Sequence, residues 1–301
     1  MPPTQAVTSS ASSRWATPAL LAICLAWGAG FTVTKSGLED VSPLLFVALR
    51  FGVATIVLWL GLRLRGPLHL PVRTLRAGFL LALALFGGYA FQTVGLRYTT
   101  PSRSGFLTGL FIVFVPMLAA AVHRRMPSVL EFGSVVLALL GMLLLSHPLG
   151  EADTFQGDLL TLICALCYSA HILALGHFAR HHDTRSLTLL QIAFTFLLSL
   201  CFCFWLEPVQ YTGSASLWGA VLFTGVFATA IAFLVQTWAQ QHTSPTRTAL
   251  IFSMEPVFAW ITAFLVFGEM LGGLAALGAV LILAGVLVVE LLPTWNRSHE
   301  I

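Results

Sequence analysis

Residues 79–103, FLLALALFGGYAFQTVGLRYTTPSR, and residues 223–247, FTGVFATAIAFLVQTWAQQHTSPTR, share one layout. Each is an apolar run, a polar elbow containing a proline, and the start of a new apolar run. At an offset of 144 residues Gln92-Thr93 falls on Gln236-Thr237, Thr100-Pro101 on Ser244-Pro245, Arg103 on Arg247 and Gly141 on Gly285. Self-similarity at a fixed distance predicts two copies of one structural unit.

Polar and Pro/Gly-marked breaks divide the whole chain into ten apolar segments: 17–35, 43–63, 73–96, 101–123, 128–146, 157–177, 186–206, 216–241, 245–267 and 271–292. Each is long enough to cross a bilayer as a helix. The runs are continuous and not alternating, and an open sheet edge in lipid would leave backbone groups unpaired, so strands are excluded. The expected fold is an all-α membrane protein of ten transmembrane helices. Five crossings per unit is an odd number, so the second copy must enter the membrane from the opposite side. The expected organisation is a disordered tail over 1–14, a first repeat over 15–146, an external linker over 147–156, a second, inverted repeat over 157–292 and a tail over 293–301. Inverted repeats that bracket a site near the midplane are the architecture of alternating-access carriers.

Composition agrees with a chain solvated by lipid. Of 301 residues 57% are apolar and only 9% charged, and the mean hydropathy is +0.90. That exceeds what one compact core can hide. A net charge of +3 from scattered residues provides no basic stripe, so no nucleic-acid partner is expected. Arg14, Arg63, Arg65, Arg73, Arg76, Arg124, Arg125, Arg180, Arg185, Arg247 and Arg297 fall in one set of loops and tails, against Lys35, Arg97 and Arg103 in the other. The positive-inside rule then places both termini in the cytoplasm. The apolar run Trp15–Thr34 lacks an A-x-A cleavage pattern and reads as a retained helix. Cys24, Cys164, Cys167, Cys201 and Cys203 all lie in apolar runs and read as packing residues; no metal or other cofactor is expected.

Polar side chains deep in such segments are costly and should face the interior or a wet cavity. Trp27, Phe31 and Lys35 form one helical stripe, with Lys35 either a carboxylate reader at the external mouth or a snorkelling interfacial lysine near Glu39. Tyr89 and Gln92 share a face of segment 3, and Thr229, Phe233 and Gln236 a face of segment 8. The two glutamines read as substrate ligands or as interhelical glue. Cys164, Tyr168 and His171 form a stripe in segment 6, where Tyr168 offers an aromatic wall and His171 a polar contact or a neutral core imidazole. Glu255 stands well inside segment 9. It can carry a proton or meet a substrate ammonium, or it can pair with Arg50 or bond the backbone freed by Pro256. Pro101, Pro245 and Pro256 are candidate hinges. Gly133 with Gly141, and Gly278 with Gly285, allow close packing of segments 5 and 10. His177, His181 and His182 read as a solvated helix end.

The pattern resembles the drug/metabolite transporter superfamily, specifically its EamA-type members. The resemblance is carried by Trp27-Gly28, Phe31, Lys35, Arg50, the run 243–249, Glu255-Pro256 and Gly268-Glu269. Through the elbow at 100–105 and the aromatic content it extends to bacterial exporters of aromatic and neutral amino acids. It implies a cavity bounded by segments 1, 3, 4, 6, 8 and 9, with segments 5 and 10 peripheral, in a multi-pass protein of the bacterial inner membrane. One departure stands out: Glu255 has no acidic counterpart in segment 4, where Phe111 and Ile112 occupy the place. The expected function is secondary transport, outward, of small amphipathic metabolites, foremost amino acids, by a chain for which a monomer suffices. Drugs or nucleosides are the alternative cargo. A lipid-modifying enzyme would need paired acids or a metal cluster at one depth, where the sequence offers one carboxylate and one imidazole.

Overall fold

A computed structural model describes residues 10–99, 101–124, 126–145, 155–267 and 272–291. They form α1 (Ser10–Gly37), α2 (Pro43–Arg63), α3 (Val72–Gly95), α4 (Pro101–Gly109), α5 (Phe111–His123), α6 (Val129–Leu145), α7 (Phe155–Phe178) and α8 (Thr184–Leu206). There follow α9 (Ala215–Gly225), a π-helical stretch (Val226–Ile231), α10 (Ala232–Ala239), α11 (Pro245–Phe252), α12 (Glu255–Phe267) and α13 (Gly273–Leu291). Among the described residues extended pairing is confined to one bridge, Val41 with Tyr211. The protein is all-helical.

Helix starts follow local chemistry. Ser42-Pro43 and Ser244-Pro245 put proline in the first turn, where its missing N–H costs nothing. Asp183, Ser214 and Ser244 each accept a backbone N–H of the first turn. Ser128 and Glu131 cap α6 reciprocally, with Ser128 N donating to Glu131 Oε2 at 2.9 Å and Glu131 N to Ser128 Oγ at 3.2 Å.

Among the described residues seven stretches are long and apolar enough to cross a membrane: Trp15–Gly37, Pro43–Arg63, Val72–Gly95, Arg103–His123, Phe155–Phe178, Thr184–Leu206 and Ala215–Ala239. Their outward faces carry Ile56, Leu60, Leu80, Leu83, Leu222 and Phe227, all exposed, as lipid-facing surface requires.

Equivalent helices of the two halves meet each other in reciprocal fashion. A Cβ on Gly141 of α6 would lie 2.6 Å from the carbonyl oxygen of Gly278 in α13, and one on Gly285 would lie 2.9 Å from that of Ser134. The 144-residue offset turns the first contact into the second. As the position rises along α6 it falls along α13, so the two helices run antiparallel. α2 and α8 do the same, since Glu207 Oε1 accepts from Leu44 N at 2.9 Å at one end while Arg185 donates to Leu62 O at the other.

Three expectations change. Segments 4 and 9 are broken: α4 stops before Leu110, and α11 and α12 are separated by Ser253–Met254. Leu110 and Met254 are 144 apart, so the two breaks are equivalent. Segment 8 carries the π-helical turn. Ser214, the N-cap of α9, stands 143 residues after Pro71, the N-cap of α3, whereas Gln236 stands 144 after Gln92. The one extra residue is accommodated as the widened turn. Finally, α1 begins at Ser10, inside the stretch read as tail, and α7 begins at Phe155, inside the stretch read as linker. Residues 1–9, 146–154, 268–271 and 292–301, with Thr100 and Arg125, lie outside the described residues. Gly268-Glu269 is among them.

Candidate functional site

A cavity of about 690 Å³, counting its open mouth, lies between the halves. α1 contributes Trp27, Gly30, Phe31 and Thr34; α3 contributes Leu85, Tyr89, Gln92 and Thr93, with Leu96 just after its end; Thr108 of α4 and Phe111 of α5 face them. The other side is made by Tyr168, His171 and Ile172 of α7, Ala228 of the π-helical stretch, Phe233 and Gln236 of α10, Phe252 of α11 and Glu255 of α12. The volume suits a small metabolite, and the wall is mostly aromatic with a few polar groups, as ligand sites generally are.

The aromatic wall is a connected set. Trp27 lies edge-on to Phe252 with centroids 4.9 Å apart and tilted against Phe233 at 5.8 Å. Tyr89 packs edge-on to Tyr168 at 5.4 Å. Polar links run between the rings. Tyr168 Oη donates to Gln92 Oε1 at 3.2 Å, and Gln92 Nε2 donates to Thr108 Oγ1 at 3.2 Å. His171 Nε2 lies 2.8 Å from Gln191 Oε1, and Gln191 Nε2 donates to Thr237 Oγ1 at 3.1 Å. A buried side-chain amide, and no backbone carbonyl, thus orients the imidazole.

Of the residues singled out from sequence, Trp27, Phe31, Tyr89, Gln92, Tyr168, His171, Gln236 and Glu255 all line this one cavity. Lys35 does not. Its ammonium donates to the carbonyls of Leu96 and, at 3.2 Å, Thr99, so it ties the end of α1 to the end of α3. Pro101 and Pro245 sit at the first positions of α4 and α11, and Pro256 is the second residue of α12, directly after the Ser253–Met254 break. The bends therefore lie at helix junctions. Segments 5 and 10, now α6 and α13, contribute nothing to the lining, whereas segment 2 contributes Arg50.

Arg50 is where sequence reasoning fell short. It is only 5% exposed, and among the described residues it pairs with no carboxylate. Its Nε and Nη2 donate to Thr229 Oγ1 at 3.1 and 2.9 Å, and Nη2 also reaches the carbonyls of Thr224 and Ala228 at 3.5 Å. Trp27 Nε1 donates to the same Ala228 carbonyl at 2.8 Å. The widened turn directs carbonyls toward the cavity, and Arg50 and Trp27 satisfy them. The Arg50–Glu255 pair, one of the readings open for Glu255, is not formed, and among the described residues the Glu255 carboxylate makes no hydrogen bond or ion pair. Depth alone, seven residues into segment 2, was the available signal for Arg50 as a cavity residue.

The profile of the EamA-like transporter family matches this chain twice, over residues 14–147 and 155–291. The chain belongs to the EamA-like transporter family. It is a multi-pass membrane transporter, and the family and its relatives are described as transporters. A protein of Archaeoglobus fulgidus described as an uncharacterized transporter is 33% identical over 275 residues, covering 90% of this chain and 84% of its own length. A probable amino-acid metabolite efflux pump of Salmonella typhimurium is 26% identical, covering 89% of this chain and 92% of that protein. A pump described in the same words from Escherichia coli is 23% identical over 93% and 96%. One solved crystal structure matches with a TM-score of 0.77 at 22% identity, over 93% of this chain and 97% of that one, a likeness of fold.

Proposed function

We propose that this chain is a secondary transporter that moves small amphipathic metabolites outward, foremost amino acids including aromatic ones, by alternating access. In this reading residues 15–146 and 157–292 are inverted five-helix repeats making ten crossings of a bacterial inner membrane, with both termini in the cytoplasm. The observation that carries it is the cavity: both halves line it, rings dominate its wall, and its polar groups include one guanidinium and one carboxylate that do not pair. The antiparallel, reciprocal contacts of α6 with α13 and of α2 with α8 support the inversion. The double match of one family profile supports the repeat, and the words "amino-acid metabolite efflux pump" attached to two relatives support cargo and direction.

A pathway of this kind needs a site between two halves that exchange conformations. Trp27, Phe31, Tyr89, Tyr168 and Phe233 would receive the apolar part of the cargo, and Gln92, His171, Gln236 and Glu255 its polar part. Purified protein in liposomes, preloaded with unlabelled amino acids or nucleosides and then offered the labelled compound outside, tests the reading. Transient accumulation of labelled phenylalanine or leucine that saturates is expected. Accumulation of nucleosides alone would overturn the cargo, and linear, unsaturable entry would overturn the carrier.

A further inference from the structure

Two ionisable side chains, each at least nine-tenths buried, face the cavity with bonding capacity that the protein leaves unused. Arg50 is 5% exposed and Glu255 9%. The guanidinium spends Nε and Nη2 on Thr229 and on the carbonyls of Thr224 and Ala228, all uncharged acceptors. Among the described residues Nη1 has no acceptor. The guanidinium carbon sits 4.6 Å from the centroid of Tyr89, which fixes the plane of the group against a ring of the cavity wall. Glu255 offers two oxygens without a donor, and on the same wall Gln236 Oε1 is buried without one while its Nε2 is committed to Gln240 Oε1 at 3.0 Å.

Within a membrane, a fixed cation without an anion and a fixed carboxylate without a cation are both expensive, and pairing them with each other would relieve both. This protein holds them apart, one on α2 and one at the start of α12. The geometry points to a bipolar ligand between them: we infer that Arg50 takes the carboxylate of an α-amino acid while Glu255, with Gln236 Oε1, takes its ammonium. Guanidinium is suited to a planar carboxylate through its N–H fork. A zwitterion brings no net charge, so the occupied site stays neutral overall. A monoanion or dianion would leave Glu255 facing like charge, and a lone amine would leave Arg50 unanswered. The side chain then rests on the rings of Tyr89, Tyr168 and Trp27. This assignment moves the carboxylate-reading role from Lys35 at the helix end to Arg50, and it rests on the amino-acid reading above.

The test is competition against counterflow of labelled L-phenylalanine in liposomes by three unlabelled probes: L-phenylalanine, phenethylamine, which lacks the carboxylate, and 3-phenylpropionate, which lacks the ammonium. Native protein is expected to bind each deleted analogue at least about tenfold more weakly than the amino acid, the discrimination that a site built on two polar contacts makes. Arg50→Gln is expected to weaken L-phenylalanine by about tenfold or more while leaving phenethylamine within about threefold, and Glu255→Gln to spare 3-phenylpropionate in the same way. Equal competition by all three probes in native protein would overturn the assignment without any variant, so a variant that fails to fold does not shelter it. Uniform weakening of all three probes in a folded variant would overturn the assignment for that residue. Absence of counterflow for every amino acid would overturn the cargo reading beneath it, an outcome distinct from both.

Discussion

Lys35 and Arg180 make the same bond in the two halves of the chain. Lys35, at the end of α1, donates to the carbonyl of Thr99 at 3.2 Å, and Arg180, at the end of α7, donates to the carbonyl of Thr243 at 3.5 Å. Thr99 and Thr243 are 144 residues apart, each in the elbow before the fourth helical segment of its half. A cation on the first helix of each half therefore fastens that half's own elbow. Lys35→Met and Arg180→Met should loosen opposite ends of the molecule. Hydrogen bonds to charged groups contribute about 1.5–3 kcal/mol, so each change should shift the balance of open states about ten- to a hundredfold. Labelling of a cavity cysteine from the two sides of the membrane checks this, and the two variants should move it in opposite directions.

The end that Lys35 fastens has a second tie. Arg103 and Asp158 join α4 to α7 with Nη2–Oδ2 at 2.5 Å and Nε–Oδ1 at 2.8 Å. Their side chains are 25% and 17% exposed, so solvent screens the pair and it contributes about 1 kcal/mol or less. Arg103→Ala or Asp158→Ala should raise exchange at this end a few-fold, and the exchanged pair Arg103→Asp with Asp158→Arg should restore most of it. Counterflow rates of the three variants decide the matter.

Gly28 and Gly61 should respond differently to alanine. A Cβ on Gly28 would lie 2.6 Å from Ala259 N and 2.9 Å from Glu255 O, so α1 and α12 would have to part at the cavity. Nothing lies within 4 Å of a Cβ on Gly61. Gly28→Ala should cost about 1–3 kcal/mol and cut transport about tenfold or more, whereas Gly61→Ala should stay within about 0.5 kcal/mol. Thermal unfolding in detergent and counterflow measure the two effects.

Most of the architecture was legible because lipid imposes length and apolarity on every span. Helix limits such as Pro43–Arg63 match the sequence reading, and eight proposed site residues meet in one cavity because buried polarity in lipid has few places to go. The break at Leu110 was not legible, since Pro101 stands nine residues before it and Pro116 six after it; the break at Ser253–Met254 was marked only by Pro256, read as a hinge. The role of Arg50 was hidden for a different reason. Its acceptors, Thr229 Oγ1 and the carbonyls of Thr224 and Ala228, gather at and just before the widened turn of segment 8, and segment-by-segment reading does not register a change of offset from 143 to 144. Lys35 was misplaced because a stripe gives the face of a helix and says nothing of the carbonyls at the end of its neighbour.

Acid sensitivity should centre on the loops outside the spans. Hydrogen bonds from Ser214 and Thr212 hold the Asp40 carboxyl below the ordinary aspartate value, joining the α1–α2 loop to the α8–α9 loop. A depressed carboxyl value means the joint is fully present above the unfolded value, near pH ~4, and is lost as pH falls through the folded value. The Thr212 amide, which donates to Asp40 O at 3.0 Å, should lose its protection, its exchange approaching the intrinsic rate, only below about pH 4. In Asp40→Asn that step should vanish.

Accessibility of one cavity position from both faces tests alternating access most directly. With the five native cysteines replaced, Gln92→Cys and Gln236→Cys would each be treated with a membrane-impermeant maleimide from either side of sealed vesicles of known orientation. The account predicts labelling of both positions from both sides, with transported amino acid slowing it. Reaction from one side only, or from neither, would contradict it.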